Sequence, residues 1–174
     1  THGDDEALVS VKKITNSQKL DYQPLSSVEK SLRDNIGINI AASGNEKRWS
    51  ISNYLKIIKF LKEKKYKKYL IISGLDQSKD EDLIKEKYIK NTDIIFTSDK
   101  KISDVIPYLK KCKFCIGNDT GFAHLSVNLD IETLVIQGDC PPQSYTKLLK
   151  HEEIEPYVTR TSTSIHTIKI DKVL

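Results

Sequence analysis

The sequence predicts an α/β protein built on a parallel β-sheet with helices on both faces. Short apolar segments typical of strands alternate along the chain with longer segments whose apolar residues recur at helical spacing. Connections of that length join parallel strands by right-handed crossovers. With 174 residues, 38% of them apolar, the chain can bury one good core, so we expect one domain.

The predicted domain covers residues 35–174, and residues 1–34 are predicted to form an N-terminal arm and an interdomain linker. The arm is polar, and within the linker Ser26 and Glu29 have the spacing of a helix capping box. Predicted strands cover residues 36–40, 69–72, 93–96, 114–116 and 133–136, and predicted helices cover 50–65, 81–88, 103–111 and 123–127, with another helix after the loop at 138–142.

The formal net charge of +4 comes from 28 basic and 24 acidic residues, and much of the excess lies in residues 62–68 and 110–111. The first lysine run ends a predicted helix, where the helix dipole favours cations, so most of it needs no partner. No nucleic-acid motif is found, and we expect no nucleic-acid binding. The lysines could still hold the protein near an anionic membrane surface, at about 1 kcal/mol each at most.

The chain shows no signal peptide and no apolar segment long enough to span a membrane, so we expect a cytoplasmic protein. Its cysteines are Cys112, Cys115 and Cys140. The first two have the spacing of half a zinc site, but no second pair follows and Cys115 lies on a predicted central strand. We therefore expect buried thiols, no metal ion and no cofactor.

The most informative segment is residues 117–126, Gly-Asn-Asp-Thr-Gly-Phe-Ala-His-Leu-Ser. It joins a predicted strand to a predicted helix, whose first N–H groups lack intrahelical partners and carry the positive end of the helix dipole. If Asp119 is the N-cap, the N–H groups of Thr120 and Gly121 are free to bind a phosphate, with the Thr120 hydroxyl beside them. His124, one turn further, points toward the same end of the helix. The alternative is a buried helix capped by Asp119, with a histidine satisfied in the core.

A second loop with phosphate-binding features follows the first predicted strand, and ligands of parallel sheets bind beyond the carboxyl ends of strands. This loop, residues 41–49, is small and flexible around Ser43 and basic at Lys47. It matches neither the Walker pattern nor the dinucleotide fingerprint. We expect it to face the same crevice as residues 119–121, and we expect Trp49 to be a packing anchor rather than a base-stacking platform.

Together these segments resemble the C-terminal half of the family 9 glycosyltransferases, the ADP-heptose:lipopolysaccharide heptosyltransferases and their relatives. The resemblance runs from about Pro24 to Leu174. It rests on residues 38–49, on the Asp-Thr-Gly-x-x-His pattern of residues 119–124, which is its most specific part, and on the Gly-Asp-Cys-Pro loop of residues 138–141. It implies one half of a GT-B fold, in which two Rossmann-like domains border a cleft and the C-terminal one holds the nucleotide sugar.

The resemblance also implies roles for individual residues. His124 would support the phosphate site. The nucleoside would lie near Asp80 or Glu81 and near the loop of residues 98–102, which ends at Ile102. The remaining contacts would be Ser43 and Lys47 to the diphosphate, Asp119 to the sugar, and Thr120 and Gly121 to the phosphates through N–H and hydroxyl groups.

The family's N-terminal domain, which carries the carboxylate that deprotonates the acceptor hydroxyl, has no counterpart in this sequence. We therefore expect no catalytic residue here and no transferase activity from the 174-residue chain alone. The chain would provide the cradle that accepts charge developing on the departing diphosphate. His124 could instead be proposed as the base, but we expect it to support the cradle.

The resemblance thus implies the donor-binding half of an inverting glycosyltransferase of lipopolysaccharide core biosynthesis, with an ADP-heptose-like nucleotide sugar as ligand. The acceptor, a lipid-linked saccharide, would bind through the missing domain, and the protein could lie at the inner face of the inner membrane. Two alternatives stay open. One is a stand-alone nucleotide-binding module without catalysis, and the other is a GT-B-like sugar-nucleotide epimerase.

Overall fold

A six-stranded sheet forms the centre of the protein in a computed structural model that describes residues 30–44, 47–88, 90, 93–138, 147–153 and 170–173. Its strands are β1 (Asn35–Asn39), β2 (Lys68–Ile72), β3 (Asp93–Phe96), β4 (Cys112–Asn118), β5 (Glu132–Gln137) and β6 (Leu149–Glu153). All neighbouring strands pair in parallel, in the order β3-β2-β1-β4-β5-β6. The predicted fold class is confirmed.

Five helices accompany the strands in the described part of the chain. They are α1 (Ile51–Glu63), α2 (Ser78–Tyr88), α3 (Ile102–Leu109), α4 (Gly121–Asn128) and the single turn α5 (Ile170–Val173), with short 3-10 helices at Lys30–Leu32 and Leu75–Gln77. Helix α1 starts where predicted, because the Ser50 hydroxyl accepts a hydrogen bond from the Asn53 N–H at 3.4 Å. Helix α3 forms with Pro107 inside it.

Alternate residues of β2 show that helices cover both faces of the sheet. Tyr69 and Ile71 belong to a core cluster with α1, α2 and α5. Leu70 and Ile72 point the other way and pack with α3 and with Leu125 of α4. The sheet is therefore the middle layer of three, as the alternation of strands and helices predicts.

One strand was not predicted. In β6, residues 149–153 read Leu-Lys-His-Glu-Glu, and only Leu149 is apolar. Strands at the edge of a sheet can carry charged side chains, which removes the apolar pattern by which strands are predicted. Cys140 lies outside the described residues. So do residues 143–146, which directly follow the loop and where the next helix is expected to begin.

The end of the predicted linker packs onto the domain. The Arg33 guanidinium donates hydrogen bonds to the carbonyl oxygens of Asp130, at 2.9 Å, and Leu129, at 3.4 Å, just beyond the end of α4. Lys30 forms an ion pair of 2.8 Å with Asp130. The remainder of the predicted arm and linker, with the capping box predicted at Ser26, lies outside the described residues.

The strand order places a topological switch point between β1 and β4. From β1 the chain proceeds outward to β2 and β3, then returns to the other side of β1 and continues outward through β4, β5 and β6. The connections that leave the carboxyl ends of β1 and β4 therefore separate and leave a crevice, the usual ligand site of such sheets. None of the described helices has the length and apolar character needed to cross a membrane.

Candidate functional site

Asn118, the last residue of β4, is fully buried and connects β4 to the loop after β1. Its amide nitrogen donates hydrogen bonds to the carbonyl oxygens of Ile40, at 3.1 Å, and Ala41, at 3.3 Å. Its amide oxygen accepts hydrogen bonds from the Trp49 N–H at 3.0 Å and from the Tyr54 hydroxyl at 2.7 Å. Both ends of the loop at 41–49 are thus fixed to β4 by one side chain.

Asn39, the last residue of β1, makes the reciprocal connection and is only 4% exposed. Its amide nitrogen donates hydrogen bonds to the Asn118 carbonyl at 3.1 Å and to the Thr120 hydroxyl oxygen at 2.6 Å. Its amide oxygen accepts a hydrogen bond from the Ala41 N–H at 3.2 Å. Together Asn39 and Asn118 hold the two predicted phosphate loops side by side, so the prediction that both face one crevice is consistent with the structure.

The prediction that Asp119 caps the helix after β4 is wrong by one residue. Thr120 has an extended backbone and its hydroxyl oxygen accepts the hydrogen bond of the Phe122 N–H at 3.3 Å, so Thr120 is the N-cap and Gly121 is the first residue of α4. The first backbone hydrogen bond of the helix runs from Ala123 to the Thr120 carbonyl. The Gly121 N–H precedes it and lies at the positive end of the helix dipole.

Asp119 does not cap the helix because its carboxylate has other partners. Gln137, at the end of β5, donates a hydrogen bond to one oxygen at 2.9 Å. The Nε2 atom of His124 lies 3.8 Å from the other oxygen, and both side chains are partly exposed. His124 therefore points toward the start of α4, as predicted, and lies beside Asp119.

Two glycines of this segment have opposite surroundings. A Cβ atom on Gly117 would lie under 3.0 Å from the backbone of Asn39, so the close approach of β1 and β4 requires glycine there. A Cβ atom on Gly121 would meet no atom within 4 Å, and its backbone conformation is one that any residue can adopt. The fold does not require glycine at Gly121, and the absent side chain leaves open space above the N-terminus of α4.

The loop after β1 leaves both of its predicted residues at least partly accessible to solvent. Ser43 is exposed and Lys47 is half-buried. Next to them, the Arg48 guanidinium donates hydrogen bonds to the Ala42 carbonyl at 3.3 Å and to the Asp76 carboxylate at 2.9 Å. Arg48 thereby ties the loop after β1 to the segment after β2.

The predicted nucleoside residues lie at the carboxyl ends of β2 and β3. Glu81 is only 3% exposed, and its carboxylate accepts hydrogen bonds from the hydroxyls of Ser73 and of Ser98, the latter at 2.9 Å. Burial raises the pKa of Asp80 above its usual range, against the opposing effect of the Arg48 guanidinium. Ile102, at the start of α3, is 62% exposed.

Cys112 and Cys115 are buried free thiols on β4, as predicted. A hydrogen bond between them raises the pKa of Cys112 and lowers that of Cys115. In the described ranges no group of three or more His, Cys, Asp or Glu side chains is arranged to hold a metal ion. Trp49 is 1% exposed and contacts Tyr54 edge-to-face at 5.3 Å, which confirms it as a packing anchor.

Three residues at the candidate site had no predicted role: Asn39, Asn118 and Gln137. Each is a buried polar residue that ends an apolar strand. Because buried amides must be hydrogen-bonded, three of them at the carboxyl edge of one sheet could have indicated a polar network there.

The family model described as Glycosyltransferase family 9 (heptosyltransferase) matches residues 5–165. This match covers the central sheet, both candidate phosphate loops and the segment around Glu81. No curated protein sequence matches the chain.

Solved structures with a similar fold include three of E. coli origin. The structure titled "E. coli heptosyltransferase WaaC with ADP" matches with a TM-score of 0.68 and 16% identity over 86% of this chain and 45% of that chain. WaaC with ADP-2-deoxy-2-fluoro heptose matches with a TM-score of 0.64 and 16% identity over 86% and 44%. The ADP-heptose lps heptosyltransferase II matches with a TM-score of 0.65 and 19% identity over 84% and 46%. The chain thus spans less than half the length of these structures.

Proposed function

The chain belongs to glycosyltransferase family 9, and on this premise we propose that it binds the nucleotide-sugar donor of an inverting glycosyltransferase. An ADP-heptose-like donor is supported by two of the similar structures, heptosyltransferases with ADP and with ADP-2-deoxy-2-fluoro heptose. The chain's coverage of 44% to 46% of the three structures supports its assignment to one of the two halves of a GT-B enzyme. The reaction would be a step of lipopolysaccharide core biosynthesis.

The observation that carries this proposal is the open N-terminus of α4 at the switch point. Gly121 leaves space there that the fold does not need. A diphosphate in that space would accept a hydrogen bond from the Gly121 N–H and meet the positive end of the helix dipole, with the Thr120 hydroxyl beside it. Ser43 and Lys47, from the loop held against β4 by Asn118, would approach the diphosphate from the side of β1.

The sugar and the nucleoside would extend from the diphosphate in opposite directions. Asp119 would accept hydrogen bonds from sugar hydroxyls, and His124, 3.8 Å away, would support its carboxylate. Glu81, held by Ser73 and Ser98 and paired with Lys85 at 3.6 Å, would accept further hydrogen bonds from ribose hydroxyls. The exposed side chain of Ile102 offers apolar surface to the base, and Asp80 lies next to Glu81.

Chemically, this half would stabilise the leaving group. As the bond from sugar to diphosphate breaks, negative charge develops on the diphosphate, and the N-terminus of α4 and the Lys47 ammonium would compensate it without a metal ion. The base that deprotonates the acceptor hydroxyl would come from another domain. No residue of this chain is assigned a catalytic role.

A nuclear magnetic resonance titration of the chain with ADP tests the proposal. The shifted amide signals should cluster at residues 43–48 and 118–124, and affinity should be weak because only one wall of the donor cleft is present. UDP and GDP serve as comparisons for base selectivity. Flat titrations with all three nucleotides at millimolar concentration would contradict the proposal.

We further propose that the amino edge of the sheet associates with anionic membranes. A cleft of about 320 Å³ lies there, lined by Arg33, Asp34, Lys65, Tyr66, Lys67, Lys68 and Lys113. Asp34 pairs with Lys68 at 2.6 Å, which leaves the cleft strongly cationic. This edge is opposite the donor site, so both could be occupied at once.

Sedimentation with phosphatidylglycerol vesicles tests the membrane proposal. Binding should weaken in salt, and it should weaken further when Lys65 and Lys67 are changed to Glu. Equal sedimentation of the wild type and of this double variant would contradict the assignment of the cleft.

A further inference from the structure

We propose that Asn39 is a positioning residue that aims the Thr120 hydroxyl hydrogen at the bound diphosphate. The proposal rests on the proposed function, because Asn39 is a buried residue that would act only through the proposed diphosphate site. Asn39 itself would not touch the ligand, since its amide is 4% exposed and its hydrogen-bonding atoms are engaged within the protein.

The orientation of the Asn39 amide is fixed by two backbone groups. The Ala41 N–H can only donate, and it lies 3.2 Å from the amide oxygen. The Asn118 carbonyl can only accept, and it lies 3.1 Å from the amide nitrogen. A flipped amide would face both groups with the wrong atom, so the nitrogen must be the atom 2.6 Å from the Thr120 oxygen.

The Thr120 hydroxyl therefore has only its hydrogen left to donate. Its oxygen accepts one hydrogen bond from the Asn39 amide and a second from the Phe122 N–H at 3.3 Å. A hydroxyl oxygen has two acceptor lone pairs, so both are occupied and its hydrogen must point elsewhere. No acceptor within the described ranges takes that hydrogen, whereas neighbouring Gly121 leaves open space.

These contacts convert an ambivalent group into a donor. A free threonine hydroxyl rotates and can present a lone pair, which would repel a phosphate oxygen. Because both lone pairs accept hydrogen bonds within the protein, the Thr120 hydroxyl can present only its hydrogen to a ligand. Accepting the short hydrogen bond from Asn39 also polarises the O–H bond further. A phosphate oxygen is the kind of acceptor that such a fixed donor suits.

A double-mutant cycle measured by calorimetry with ADP tests the proposal. Thr120→Val removes the donor, and Asn39→Ala releases the hydroxyl that carries it. Each single change should weaken ADP binding about tenfold or more, because a hydrogen bond to a charged group is lost or misdirected. If Asn39 acts through the hydroxyl, the double variant should bind ADP no more weakly than Thr120→Val.

Three controls separate positioning from general damage. Thr120→Ser keeps the hydroxyl and should regain most of the affinity that Thr120→Val loses, whereas Asn128→Ala, at the exposed far end of α4, should leave the ADP affinity at the wild-type value. Adenosine, which lacks the diphosphate, should bind all variants equally, whereas a distorted site would change its affinity too. If Asn39→Ala does not fold, the isosteric Asn39→Asp is used instead. Its added negative charge weakens ADP binding with and without Thr120→Val alike, so this effect cancels in the cycle.

The outcomes are distinct. Wild-type affinity in Asn39→Ala, or losses for Asn39→Ala and Thr120→Val that simply add, would overturn the role of Asn39 while leaving the donor site in place. Failure of the wild-type chain to bind ADP at all would overturn the proposed function and this inference with it. Non-additive losses confined to ADP would support it.

Discussion

The hydroxyl of Tyr54 donates a hydrogen bond to the side-chain oxygen of Asn118 at 2.7 Å, and both side chains are fully buried. Tyr54 lies on α1 and belongs to the main core cluster, whereas Asn118 ends β4 at the edge of the candidate site. Packing of the core and placement of the two candidate phosphate loops therefore depend on the same contact.

Asn118→Ala should lower the free energy of unfolding by about 2–4 kcal/mol. The change removes four hydrogen bonds and leaves the Tyr54 hydroxyl, the Trp49 N–H and two carbonyl oxygens without their partner in a buried place. Urea denaturation measures the loss. Asn128→Ala, an exposed position on α4, is the matched control and should stay within about 0.5 kcal/mol. A loss below 1 kcal/mol for Asn118→Ala would contradict the assigned network.

Tyr54 should also make stability fall at alkaline pH. Burial raises its pKa well above 10.0, the usual value, whereas the unfolded chain titrates near that value. The folded state then holds a proton that the unfolded state has released, so the contribution is complete below about pH 10 and decreases as pH rises further. Burial raises the pKa of Tyr69 to about 12, which adds to the same trend.

Tyr54→Phe tests this assignment, because it removes one titrating group and keeps the ring. Urea denaturation across pH 9 to 11 should give a shallower decrease for Tyr54→Phe than for the wild type. The lysines titrate in both proteins and cancel in the comparison. Parallel pH curves would show that Tyr54 does not contribute to alkaline unfolding.

The fold was predictable because its signal is local. Each of the first five strands is a run of apolar residues bounded by polar ones, and the helices between them repeat apolar residues at the right spacing. The strand β6 fails this test because its partner β5 stabilises it through backbone pairing, which needs no apolar side chains. A single apolar residue, Leu149, was too little to indicate it.

The candidate site was predictable in position but not in detail. Glycine-containing turns after two apolar strands indicate the crevice, yet the choice of cap between Asp119 and Thr120 depends on contacts across the sheet. Gln137, on β5, donates a hydrogen bond to the Asp119 carboxylate, and Asn39, on β1, donates one to the Thr120 hydroxyl oxygen. Contacts between residues so far apart in the chain leave no mark in the local sequence pattern.

Lys47→Ala should weaken ADP binding more than Lys64→Ala or Lys110→Ala, although each removes one positive charge. A charge-assisted hydrogen bond from Lys47 to the diphosphate is worth about 1.5–3 kcal/mol. Lys64 and Lys110 follow the last residues of α1 and α3, at the opposite edge of the sheet, and such distant lysines contribute about 0–1 kcal/mol and are screened by salt. Calorimetry on the three variants decides the matter. Thermal melts serve as the control, since none should change stability by more than about 0.5 kcal/mol. Equal losses would indicate only diffuse attraction of nucleotides by the basic surface.

The 174-residue chain should show no transferase activity with any nucleotide sugar and lipid-linked acceptor, because the base is assigned to another domain. Product formation is measured by mass spectrometry of the acceptor. Turnover by the purified chain would mean that a base lies within it, and His124→Ala would then be the first variant to examine.

Gly117→Ala and Gly121→Ala should have opposite effects, although the glycines are four residues apart and gain the same methyl group. At Gly117 the methyl carbon would overlap the backbone of Asn39, so stability should fall by about 1–3 kcal/mol or folding should fail. At Gly121 the methyl group enters empty space at the start of a helix, where alanine is at least as stable as glycine. The same methyl group would keep a phosphate from approaching the N–H, so ADP affinity should fall about tenfold. Urea denaturation and calorimetry on both variants measure the two effects, and unchanged ADP binding in Gly121→Ala would show that the diphosphate does not occupy this space.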